Sequence, residues 1–98
     1  MTIKDIAVSL ESSKHPVAKA LHKSENFKVL VMGFKRGMIL KEHKAHLPTK
    51  LTVLEGSVLY RENGTIKALS KHDETEIPVE VIHSVEAVED SLCLLTQG

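Results

Sequence analysis

Residues 37–83 read GMILKEHKAHLPTKLTVLEGSVLYRENGTIKALSKHDETEIPVEVIH. Near the middle stands Asn63-Gly64, flanked by the runs 57–62 (SVLYRE) and 65–69 (TIKAL). Asn-Gly between two short β-type runs is a strong hairpin signal, because both residues accept the positive φ that a two-residue type I′ turn demands. Working outward, apolar or β-branched runs recur at 27–35, 38–43 and 50–55 on one side and at 74–78, 81–88 and 91–96 on the other. Their apolar positions follow a period of two rather than 3.6. Turn residues separate them at Arg36-Gly37, Leu47-Pro48, Glu55-Gly56, Lys71 to Asp73 and Glu89-Asp90. Eight short strands joined by tight turns predict an all-β fold, an antiparallel barrel or sandwich over about 27–96.

Upstream of the strands, residues 12–25 (SSKHPVAKALHKSE) carry helix signals. Ser12 or Ser13 is suited to capping, Pro16 to a first turn, and Val17, Ala20 and Leu21 share one helical face. A short N-terminal helix is expected there, over about 14–24, packed outside the barrel. With 98 residues, no linker and no internal repeat, the chain reads as one domain, 1–98.

Composition narrows the partners. Lys plus Arg equals Asp plus Glu at 13 each, so no net field draws nucleic acid or anionic lipid. The aromatic residues are Phe27, Phe34 and Tyr60, too few for a base-stacking platform. No apolar run approaches the ~18 residues needed to cross a bilayer, and Lys4, Asp5 and Glu11 interrupt the start of the chain where a secretory signal would be apolar. The single cysteine, Cys93, sits in the apolar run Leu92–Leu95, which predicts a buried thiol and, with no export signal, a reducing cytoplasm.

Two stretches carry a family resemblance. The first is Gly37 to His43 continuing to Val53-Leu54-Glu55-Gly56, and the second is Ile77 to His83, in which Pro78 precedes His83 by five residues. They resemble the two signature motifs of the cupin superfamily. The first motif runs Gly, five residues, His-x-His, three or four residues, Glu, six residues, Gly; the second contains Pro with His five residues on. The resemblance covers about 27–96 and implies a cupin-type, jelly-roll-like β-barrel with a site inside it.

In cupins resembling this chain, two His and a Glu of the first motif and the His of the second hold one divalent metal. Here His43 and His83 match. The second His position is Ala45, and six residues before Gly56 stands Thr49, with Lys50 beside it, in place of the Glu. His46 substitutes only if a bulge or the turn into Pro48 swings it inward, because i and i+3 face opposite sides of a regular strand. The candidate pocket is therefore His43, His83 and Thr49, and the candidate metal set is His43, His83 and His46 for one divalent ion such as Zn²⁺, Fe²⁺, Ni²⁺ or Mn²⁺. Two imidazoles without a metal also serve, since a neutral ring offers one donor and one acceptor.

Lys50 facing inward would favour an anion over a metal; Thr49 facing inward would leave Lys50 in solvent. His15, His22 and His72 have no partners at ligand spacing and are expected in a helix or turns, exposed. Three functions follow from the resemblance: a stand-alone cupin binding a small polar molecule or metal ion, a metal-dependent dioxygenase or isomerase using His43, His83 and His46, or an interaction module with a vestigial pocket. A homodimer is expected, because a barrel this small buries a limited share of its surface.

Overall fold

The computed structural model describes residues 1–98. In chain order it contains α1 (Thr2–Glu11), β1 (Val17–Lys23), β2 (Lys28–Phe34), β3 (Ile39–His43), β4 (Thr49–Glu55), β5 (Ser57–Glu62), β6 (Thr65–Ser70), β7 (Glu74–Ile77), β8 (His83–Ala87) and β9 (Ser91–Gln97). Two sheets form, one ordered β1-β2-β9-β4-β7 and the other β3-β8-β5-β6. Every ladder within them is antiparallel.

The period-two pattern explains the two layers. Along β4, Thr49, Leu51 and Val53 are buried while Lys50 and Thr52 between them are not. β9 does the same with Ser91, Cys93 and Leu95. Inward residues of both sheets merge into one core that includes Phe34, Leu51, Val53, Val58, Tyr60 and Val85. Burying such side chains contributes roughly 1.5–3 kcal/mol each. All eight strands read from the sequence are present, and Asn63 (φ 48°) with Gly64 (φ 76°) makes the β5–β6 turn.

Gly56 joins β4 to β5 at φ 82°, and a Cβ there would collide with the carbonyl of Asp90 and with Ser91. No larger residue fits without moving β9.

The helix expected over 14–24 is absent: that stretch is β1, paired with β2 from Val17↔Gly33 to Lys23↔Lys28. Within β1 only Val17 is half-buried, so its apolar residues had little to bury, and the open edge of β2 offers a ladder of backbone hydrogen bonds, broken by one bulge between Ala20 and His22. The helix lies earlier. Ile6 and Leu10, one turn apart, face the sheet, and Ile6 is 1% exposed. α1 packs on the outer face of β1 and β2, where Gly33 lets Ile6 approach: a Cβ on Gly33 would lie 2.5 Å from Ile6 Cγ2. Val31 and Gly33 face the helix, so Met32 and Phe34 face the interior. No helix is long and apolar enough to cross a membrane.

Candidate functional site

The site begins with a break in register. Leu40 pairs with Val85, yet the next pair is His43 with His83, so Lys41 and Glu42 together oppose Ser84. This is a β-bulge. On a regular strand His43 would face away from Leu40, being three residues on. The extra residue turns it back to the inner face, beside His83.

The two rings lie with centroids 4.1 Å apart at 57°. His83 is 3% exposed, whereas His43 stands exposed at the barrel mouth. His43 Nδ1 is 2.8 Å from the Lys41 carbonyl and His83 Nδ1 is 3.2 Å from the Val81 carbonyl. A carbonyl only accepts, so in each ring Nδ1–H donates and Nε2 is left with its lone pair. Burial holds His83 below the ordinary imidazole range and the neighbouring His43 adds to this, against the Val81 carbonyl and the charge of Glu62. The pair therefore presents imine nitrogens, which accept hydrogen bonds or ligate.

Behind His83 stands Tyr60, fully buried, with its ring centroid 5.8 Å from that of His83. Its hydroxyl donates to Glu62 Oε1 at 2.7 Å. Burial, then the carboxylate, push the phenol's ionisation well upward, so Tyr60 remains a donor fixed on Glu62. Nothing in the motifs pointed to Tyr60 and Glu62; their placement two apart on β5, opposite β8, was the available signal.

His43 and His83 line an internal cavity of about 50 Å³ whose walls are mostly apolar, among them Met32, Phe34, Leu51 and Ile77. That is space for a few waters or a few ligand atoms. Thr49 reaches it, 3% exposed, with its hydroxyl donating to the Leu47 carbonyl at 2.9 Å. Lys50 points to solvent, 3.5 Å from Glu76 and 3.9 Å from Glu74. Lys44 and Gln97 form the polar end of the cavity, with Ala45 beside them.

His46 does not join the pair. Ala45 is buried and bridges Val79 in parallel, which sends the following side chain outward. His46 is 82% exposed, with Nδ1 2.7 Å from Glu80 Oε1. Position 45, the one that faces the cavity, carries a methyl group in place of a donor. No three His, Cys, Asp or Glu side chains converge anywhere in the chain. The residues present thus do not complete a protein-held metal centre, which needs three or four such donors. His15, His22 and His72 are exposed as expected, although His22 sits on β1 rather than in a helix.

Cys93 is fully buried in the core, and burial pushes its thiol up to about 12. It is a packing residue. An outer groove of about 290 Å³ at the β5–β6 turn, lined by Glu42, Arg61, Glu62 and Asn63, also reaches His83. Its Arg61 is taken by Glu86 at 2.9 Å.

No family model matches the chain. No curated protein matches it either. Solved structures do. An RmlC-like cupin from Desulfovibrio desulfuricans superposes with a TM-score of 0.78 at 29% identity, covering 85% of this chain and 81% of that one. A cupin 2 conserved barrel domain protein from Leptotrichia buccalis gives 0.80 at 29% identity, over 93% of this chain and 45% of that one. A cupin superfamily protein from Desulfitobacterium hafniense gives 0.81 at 18% identity, over 87% and 78%. Strand order, hairpin geometry and these superpositions agree: the chain has the fold of a small cupin domain.

Proposed function

We propose that this cupin domain binds a small polar molecule inside its barrel, with His43 and His83 accepting hydrogen bonds from it and Thr49 beside them. The observation that carries this reading is the pair of imidazoles whose Nδ1 atoms are both committed to backbone carbonyls. Both Nε2 lone pairs are thereby free of protein partners in a mostly apolar cavity. An apolar pocket with a few converging polar atoms is the usual form of a small-ligand site. The same lone pairs support a second reading, a metal-dependent dioxygenase or isomerase, which would need its remaining donors from water or substrate. The first reading is preferred because His46 stands apart and Ala45 and Thr49 replace two ligands.

The domain is further read as a homodimer in a reducing cytoplasm. β1 is an exposed edge strand with an unpaired side, and the lone thiol is buried and inert.

Elemental analysis of protein purified without a metal-binding tag decides between the two readings. Substoichiometric metal, unchanged in a His43→Ala/His83→Ala double variant, is the expected result. Near-stoichiometric metal lost in that variant would overturn the preference in favour of the enzyme.

A further inference from the structure

We infer that the ligand of this cavity is a small hydroxycarboxylate, whose hydroxyl meets the His43/His83 pair and whose carboxylate lies between Lys28 and Lys44 at the cavity's outer end. This rests on the proposed reading of the barrel as a binding site and names its ligand class.

A second depression of about 290 Å³ lies against the cavity, lined by Lys28, Lys44, Ala45, His46, Leu47 and Gln97. Lys44, Ala45 and Gln97 belong to both spaces, so the two adjoin at these side chains. The register gives the same adjacency. Lys28 pairs with Gln97 across β2 and β9, and Gln97 pairs with Thr49 across β9 and β4. One row of residues therefore leads from a surface ammonium to a hydroxyl inside the cavity.

The charges around this junction are unbalanced. Some carboxylates are paired elsewhere, Asp5 with Lys19, Glu74 and Glu76 with Lys50 and Glu86 with Arg61, while Glu80 engages His46, which lines the depression. Neither Lys28 nor Lys44 forms an ion pair or a hydrogen bond through its ammonium group, and no carboxylate side chain lines the depression. Two like charges on one concave surface concentrate anions there. The outer groove that also reaches His83 carries Glu42 and Glu62, and its single cation is already engaged by Glu86. An anionic ligand is thus repelled from one approach to the imidazole pair and attracted to the other.

At the inner end the requirement reverses. Free Nε2 lone pairs accept and do not donate, so they select a hydroxyl over a second carboxylate. About 50 Å³ admits only a few heavy atoms, which leaves the charged end of the ligand in the outer depression. A hydroxyl, a short aliphatic link and a carboxylate satisfy all three conditions.

The test uses the full chain labelled with ¹⁵N, titrated with γ-hydroxybutyrate, with its neutral amide γ-hydroxybutyramide, and with butyrate. The expected result is that the hydroxy acid shifts the amide signals of His83, Val85 and Gln97 and binds at least about tenfold more tightly than either comparison compound. Lys28→Met/Lys44→Met is expected to remove the preference over the amide. The ratio in the unsubstituted chain decides the matter even if that variant folds poorly. Equal binding of acid and amide with the interior signals shifting would overturn the carboxylate assignment and leave barrel binding standing. Shifts confined to the lysines, with His83 and Val85 silent while the amide shifts them, would overturn it in the same way. Silence of the interior signals toward all three compounds would overturn the inference together with the reading beneath it.

Discussion

Replacing Gly33 with Ala tests how α1 is attached. The new Cβ would lie 2.5 Å from Ile6 Cγ2 and 3.4 Å from Leu10 Cδ2, the second distance being ordinary contact. To reach 3.4 Å from Ile6 as well, the helix must retreat by about 1 Å, the difference of the two values. Overpacking of this kind costs roughly 1–3 kcal/mol, while the stiffer unfolded chain returns about 0.4–1 kcal/mol. A net loss of about 1–2 kcal/mol is expected in urea unfolding at fixed m-value. Ile6→Ala alone should lose about 2 kcal/mol or more, because Ile6 is 1% exposed. The double variant decides the mechanism: with Cγ2 gone, the methyl of residue 33 occupies part of the space, so the double variant should be at least about 1 kcal/mol more stable than the sum of the singles predicts. Strict additivity, or a neutral Gly33→Ala, would refute the proposed close approach. Binding in the barrel should not change, since Met32 and Phe34 face the cavity from the opposite side of β2.

Three further outcomes are expected. Because the folded-state pKa of His83 is lowered, the unfolded chain binds the extra proton as pH falls below about 6.5; stability should drop through that window, and the drop should be smaller in His83→Gln when urea midpoints are compared at pH 7 and pH 5. Gly56→Ala should lose at least about 1–2 kcal/mol from the left-handed backbone alone, and more from the Asp90 contact; a thermal midpoint equal to that of the parent chain would contradict this. His46→Ala removes only an exposed pair with Glu80, so stability should change by less than about 1 kcal/mol and ligand shifts at His83 should persist; loss of those shifts would return His46 to the site.

Most of the barrel, all of its strands except β1, was legible because its determinants are local. Asn63-Gly64, Gly56 and Gly37 all take the positive φ that their turns require, and the apolar run Leu92–Leu95 predicted the burial of Cys93 without reference to any partner strand. His43 and His83 were legible as a pair through motif spacing alone. The N-terminal segment was misread because a three-residue apolar face is weak evidence, and the edge of β2 that captures Val17–Lys23 exists only once the sheet has formed.

What the sequence by itself determined is eight of the nine strands, the turns and the loss of two ligand positions at Ala45 and Thr49, since each depends on residue type at a fixed spacing. Only the tertiary structure decided which way each side chain faces at the site. The bulge at Lys41 and Glu42 turns His43 inward, and the bridge between Ala45 and Val79 turns His46 outward to Glu80. Both depend on hydrogen bonds to strands distant in the chain, and a shift of one residue in such pairing reverses every side chain beyond it.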